Sequence, residues 1–112
     1  MTEIRDDRAR GRLAAFEGGE PVGRVDYFTL DGQPGALVAV HTVVEPGHEG
    51  RGIAGSLVRE LYALAAREGV PVVPLCPYAA RWAERHPDEA PAAPAALVEA
   101  ARARLSARPE LW

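Results

Sequence analysis

The chain has 112 residues, 47% of them hydrophobic, which suits one packed core and is too little for two full domains. A net charge of -3 without a dense basic stripe gives no electrostatic footprint for nucleic acid. All thirteen basic residues are arginine, which excludes the phosphate lysine of a P-loop and Schiff-base chemistry, and the lone Cys76 can form no internal disulfide and has no Cys/His zinc constellation around it.

The first twelve residues are charged, without the apolar centre of a secretory signal, and no apolar run approaches about 18 residues, so a soluble cytoplasmic protein without membrane contact is expected. Residues 1–10 receive no element and are a candidate flexible tail. Leu13–Phe16 is a short apolar stretch that ends at Glu17, Gly18, Gly19 and Glu20. Val22–Leu30, rich in Val, Tyr, Phe and Thr, then reads as the second arm of a hairpin. Its alternation is imperfect, which predicts a bulge or burial on both faces. A turn over Asp31, Gly32, Gln33, Pro34 and Gly35 leads into the apolar run Ala36–Val44, the pattern of a central strand buried on both faces.

From Ile53 to Glu68, Ile53, Ala54, Leu57, Val58, Leu61, Leu64 and Ala65 recur at helical spacing, with Gly69 placed for a left-handed C-terminal cap. Val70–Leu75 reads as another buried strand, so strand, glycine turn, helix and strand form a βαβ unit with two parallel strands. Pro77 can open a short helix through Tyr78, Trp82 and Arg85 that Pro87 stops. The Ala/Pro stretch Ala90–Ala96 reads as a linker, and Ala95–Ala107 as either a terminal helix or a frayed tail. Residues from about 106 to 112 form a second candidate flexible end of what is otherwise one domain, 1–112.

Gly50, Gly52 and Gly55 satisfy the G-x-G-x-x-G pattern of a dinucleotide site. Their physical content is broader, because glycines let backbone N–H groups approach an anion and the helix beginning near Ile53 points its positive end there. A dinucleotide fold also needs an acid about 20 positions on, where this chain has Pro74, Leu75, Cys76, Pro77 and Tyr78. That disfavours nicotinamide binding and leaves a phosphate-bearing ligand of another kind. A glycine turn chosen only for tightness is the plain structural alternative.

His41, Thr42, Val43 and Val44, followed by Gly50, Arg51, Gly52, Ile53, Ala54, Ser56 and Leu57, resemble the acetyl-CoA motif of the GNAT superfamily of N-acetyltransferases, most closely its very short branch. Pro74–Tyr78 and Arg85–Pro87 fit that branch too, so the resemblance spans roughly residues 41–87. The superfamily pattern has Gln or Arg where this chain has Glu49, then Gly52 and Ala54 in place. An acid beside a pyrophosphate repels it, so Glu49 is expected to turn to solvent or pair with an arginine.

The resemblance implies an α+β fold, a β-meander followed by a βαβ unit whose parallel strands splay around the cofactor, with C-terminal helices. It implies acetyl-CoA as cosubstrate, direct attack by an amine of unknown identity, and no metal. Glu49, Gly50, Arg51, Gly52, Ile53, Ala54, Gly55 and Ser56 would hold the phosphates, while Thr42, Val43 and Val44 would line the pantetheine arm. A backbone N–H near Val43 would stabilise the thioester oxygen. His41 is the first candidate base, with Glu45 behind it, and its plain alternative is a core histidine. Cys76, expected to meet His41 near the thioester, can donate a proton to the leaving thiolate, accept the acetyl group, or be a small buried hydrophobe. Tyr78 is a candidate acid or a packing phenol, and His86 is a helix terminator or a cofactor contact. A catalytically weak CoA-binding or interaction module is the alternative function, because a chain this short is expected to lack the extra helices and strands that build an acceptor pocket.

Overall fold

A computed structural model describes residues 2–32 and 35–108. Its order is β1 (Thr2–Asp7), β2 (Arg12–Glu17), β3 (Glu20–Leu30), β4 (Ala36–Val44), α1 (Ile53–Glu68), β5 (Val72–Pro74), α2 (Pro77–Arg85) and α3 (Ala95–Ala107). The five strands form one sheet in sequence order, antiparallel from β1 to β4 and parallel between β4 and β5. The meander, the βαβ unit and the C-terminal helices are therefore all present.

The strand β1 corrects the reading of residues 1–10 as a tail without an element. Thr2–Asp7 pairs along its whole length with β2, yet five of its six residues are exposed. Backbone pairing rather than apolar alternation builds this strand, and its charges Glu3, Arg5, Asp6 and Asp7 suit an edge that must not recruit another chain. At the other end α3 continues through Ser106 and Ala107; the rest of the candidate flexible end, residues 109–112, like Met1 and the turn residues Gln33 and Pro34, lies outside the described residues.

One core fills the space between the sheet and α1 with α2, centred on Leu13, Val25, Leu37, Leu57, Leu61 and Trp82. A second lies under α3, where Ala101 and Leu105 meet Val38, Val40 and Val73. The helix α1 buries the face predicted by its spacing and ends at Gly69, φ 72°, whose N–H reaches the Ala65 and Ala66 carbonyls. Its first turn seats on Gly23. A Cβ there would stand 2.9 Å from Ile53 Cγ2 and 3.1 Å from the Val43 carbonyl oxygen, so the glycine sets how closely the helix start approaches the sheet. Tyr62 of α1 stacks on Trp82 of α2, centroids 5.8 Å apart, which joins the two helices over the same sheet face. No helix among the described residues is long and apolar enough to cross a membrane.

Candidate functional site

The parallel ladder between β4 and β5 is only three pairs long, Leu37 with Val72, Val38 with Val73 and Ala39 with Pro74. Val70–Leu75 was the sequence expectation for β5; the prolines at 71 and 74, which have no N–H to give, shorten it. The Ala39 carbonyl closes the ladder by accepting both the Leu75 N–H at 3.1 Å and the Cys76 N–H at 3.0 Å. Pro77 then starts α2, and β5 leaves the sheet. Past this point β4 runs five residues further to Val44 with β3 alone as partner. The Glu45 N–H donates to the Val22 carbonyl at 2.9 Å, toward β3. By alternation Val43 also turns its backbone to β3, and Thr42 and Val44 turn theirs into the gap left by β5.

The register between β3 and β4 slips within this stretch, with Tyr27 opposite Ala39 and Asp26 opposite His41. Val40, in β4, is the extra residue of a bulge, whereas the imperfect alternation of Val22–Leu30 reflects burial on both faces, with Val25 and Tyr27 in one core and Phe28 and Leu30 at the other. Val40 and His41 consequently share a sheet face. Thr42, opposite buried Val25, returns to the α1 side and places its Oγ1 3.3 Å from Sγ of Cys76, itself 4% exposed. His41 instead lies across from Asp26, which accepts from Arg12 Nε at 3.0 Å and Arg24 Nε at 3.2 Å. The expected meeting of His41 with Cys76 is thus corrected: they occupy opposite faces, because the bulge reverses the parity that Leu37 and Ala39 had set.

At the open end of β4 the chain passes through Gly47, Gly50 and Gly52, with φ of 88°, 78° and 80°. These left-handed positions strain any side-chain-bearing residue, whereas the space around them is open. The Ser56 N–H bonds the Gly52 carbonyl at 3.0 Å as the first bond of α1, which leaves the N–H groups of Ile53, Ala54 and Gly55 without an acceptor inside the helix. Neither a capping side chain nor an acid in the first turn occupies them. They open on a cleft of about 270 Å³ lined by Val44, His48, Glu49, the glycine turn and Tyr78. The Tyr78 hydroxyl stands 3.5 Å from where a Cβ on Gly55 would be, so this second glycine lets α2 close over the first turn of α1.

Glu49 and Ser56 are exposed, and Glu49 also lines the cleft. The Arg51 guanidinium does not line the cleft; it donates from Nη2 to Glu17 Oε2 at 3.0 Å and stands with Nη1 3.0 Å from His48 Nδ1. The sequence reading missed Glu17 and His48. The three-residue spacing of His48 and Arg51 was the only hint, and Glu17 is 34 positions away. His86 stacks on Trp82, with centroids 4.2 Å apart, and its Nδ1 lies 2.9 Å from the Trp82 carbonyl oxygen, which fits its reading as a helix terminator.

A larger cleft, about 630 Å³, involves Arg5, Arg12, Phe16, Arg24 and Glu45. Its arginines are spoken for: Arg5 pairs with Glu3, Arg10 with Asp7, and Arg12 and Arg24 with Asp26. It contains no helix N-terminus. Among the described residues no group of three or more His, Cys, Asp or Glu is placed to hold a metal ion.

The sequence model of the family described as GCN5-related N-acetyl-transferase matches residues 12–92. No curated protein matches the chain. Among solved structures, an aminoglycoside acetyltransferase from an uncultured soil metagenomic sample is 33% identical over 55% of this chain and 42% of its own, with a TM-score of 0.51. The ribosomal-protein-alanine N-acetyltransferase of Brucella melitensis biovar Abortus 2308 is 26% identical over 73% of this chain and 63% of its own, with a TM-score of 0.57. A predicted acetyltransferase of Clostridium acetobutylicum, solved with acetyl-CoA, shares the fold at 14% identity, covering 67% of this chain and 55% of its own with a TM-score of 0.55. The chain thus spans less than two thirds of the length of each of these three.

Proposed function

The chain belongs to the GCN5-related N-acetyltransferase family, and from that premise we propose that it binds acetyl-CoA and transfers the acetyl group to an amine. The observation that carries this reading is the continuity of two vacant sets of backbone donors. The first-turn N–H groups of α1 meet the edge of β4 that β5 abandons. The first set suits a diphosphate, by hydrogen bonding and by the helix dipole. The second suits an extended arm carrying amides, which would bond Thr42 and Val44 as a strand would. Gly50, Arg51, Gly52, Ile53, Ala54 and Gly55 would contribute to the first set mainly through their backbones, Ser56, whose N–H is taken by the Gly52 carbonyl, only through its hydroxyl, and Glu49 would stand at the exposed rim of the cleft.

An arm laid along this edge ends beside Thr42 and Cys76, where the thioester would sit. Thr42 N–H, rather than a group on Val43, faces the gap and is the better oxyanion donor. Cys76 Sγ and the Tyr78 hydroxyl are the groups on this side that can return a proton to the departing CoA thiolate; Cys76 can alternatively accept the acetyl group before the amine does. His41 and Glu45 can serve as base only from the other sheet face, reaching the amine through the gap or by a water. The acceptor would then approach from that face. An aminoglycoside, as the acceptor class of one similar structure, and the alanine of a ribosomal protein, as that of another, both offer amines of this kind.

Calorimetry with acetyl-CoA, CoA and NAD tests the binding step: the expected result is binding of the first two and none of the third, and failure to bind CoA would falsify the reading. Release of free thiol from acetyl-CoA with a panel of amines tests the transfer. A CoA-binding module without catalysis is the second reading, favoured by the separation of His41 from Cys76. Equal background thiol release by wild type, Cys76→Ala and His41→Ala would establish it.

A further inference from the structure

Resting on the CoA reading of the glycine-turn cleft, we propose that His48 is a ligand-binding residue whose Nε2–H donates to the diphosphate, and that Arg51 and Glu17 are positioning residues that orient its imidazole. The argument begins with what an arginine can do. Two groups face His48 Nδ1, Arg51 Nη1 at 3.0 Å and Glu17 Oε1 at 3.6 Å; only the first is within hydrogen-bonding distance, and a guanidinium, with five donors and no acceptor, bonds there to a lone pair on Nδ1. The ring proton then resides on Nε2. His48 lines the cleft and Arg51 does not. With Nδ1 engaged by Arg51, Nε2–H is the polar group that this side chain has left for a ligand.

His48 is held through its backbone as well as its ring. Its backbone N–H bonds the Glu45 carbonyl at 3.1 Å, closing a turn through Gly47. Arg51 is fixed in its turn by Glu17, which accepts from Nη2 at 3.0 Å and whose side chain is only 21% exposed. Glu17 stands at the end of β2, so this link ties the glycine loop to the β2–β3 hairpin. Gly47, Gly50 and Gly52 have nothing within 4 Å of their Cβ positions to pack the loop, which makes such a tie valuable.

The cleft also needs another donor. The chain has no lysine, the Arg51 head is turned away, and a carboxylate, Glu49, stands on the cleft wall. His48, Glu49 and Tyr78 are its polar side chains. A donor held on the wall opposes the repulsion that Glu49 would exert on a diphosphate.

Calorimetry with CoA and with pantetheine, which has no phosphate, separates the possibilities. His48→Phe should weaken CoA roughly tenfold, the loss of one hydrogen bond to a charged acceptor, and leave pantetheine unchanged. His48→Gln, whose amide nitrogen reaches the place of Nε2, should stay within about threefold of wild type, whereas His48→Asn, with its donor at the place of Nδ1, should behave as His48→Phe. Nitrogen NMR of the imidazole should show the proton on Nε2 in wild type and a mixture of tautomers in Glu17→Ala and Arg51→Ala, a change that a merely structural tie would not produce. Equal CoA affinity of His48→Phe and wild type overturns this inference and leaves the CoA reading standing, and an equal loss for CoA and pantetheine reduces His48 to packing and overturns it too. If wild type binds no CoA, the CoA reading falls first and this inference with it.

Discussion

From Ala36 to Val40, β4 is buried on both faces, and its Leu37–Ala39 segment is paired on both edges; from His41 to Val44 it is half-buried and paired with β3 alone. One strand thus has two environments, divided by the bulge at Val40 and by the exit of β5 at Pro74. In the first half the Leu37–Ala39 backbone is paired with a strand on each side, and apolar volume determines what substitutions do. In the second half an edge of N–H and C=O groups waits for a partner, and leaving such groups dry and unpaired would cost about 1–3 kcal/mol each. The same physics that makes the first half a core makes the second a place for a polar, strand-like ligand.

The largest effect should come from breaking the first half. Leu37 is 1% exposed between the β5 ladder and α1. Leu37→Ala should cost roughly 2–5 kcal/mol in denaturant melts, because a cavity opens that the neighbouring strands cannot close. Val43→Ala, in the half-buried stretch, should cost under about 1 kcal/mol. Equal losses at the two positions would abolish the distinction between the halves.

Alkaline pH should strain the packing of α1 on α2. Burial pushes the Tyr62 phenol up from 10.0 to about 12, under its stack with Trp82. The neutral phenol's contribution is complete below pH 10, where folded and unfolded chains both keep the proton. It fades as pH rises from 10 toward 12, because the unfolded chain ionises first. The loss should be on the order of 2 kcal/mol. Urea melts at pH 9 and 11.5 should therefore diverge less for Tyr62→Phe than for wild type, and identical divergence would remove Tyr62 from the account. A comparable effect is expected at Gly23, where an added methyl must displace Ile53 or the Val43 carbonyl. Gly23→Ala should cost roughly 1–3 kcal/mol and weaken CoA more than it weakens folding, since it tilts the first turn of α1 out of line with the gap.

Much of this division was legible in the sequence. The apolar run Ala36–Val44, the period of Ile53–Glu68 with Gly69 after it, and Pro77 at a helix start each act through local physics, and each element formed where its residues placed it. The edge strand Thr2–Asp7 was not legible, because five of its six residues are exposed and only pairing defines it. Nor was the parity of His41. A period of two carried on from Leu37 and Ala39 puts His41 beside Cys76, and one bulged residue, decided by the pairing with β3, reverses it. The Glu17–Arg51–His48 cluster joins residues from two distant turns. No local pattern encodes it.

The smallest predicted effect is the most informative about the second half. Thr42 Oγ1 and Cys76 Sγ form the polar contact that closes the bottom of the gap. Thr42→Val keeps the side-chain shape and removes the hydroxyl, so stability should change by no more than about 0.5–1 kcal/mol, the net worth of one hydrogen bond. If Cys76 is only a small buried hydrophobe, that is the whole effect, and thiol release in the presence of acceptor stays at the wild-type rate. If Cys76 hands a proton to the leaving thiolate or takes the acetyl group, loss of its hydroxyl partner changes how the sulfur is oriented and should lower kcat severalfold while the KM for acetyl-CoA holds. A KM change without a kcat change would move Thr42 from the reacting end of the gap to its lining, and the proton would then have to come from Tyr78.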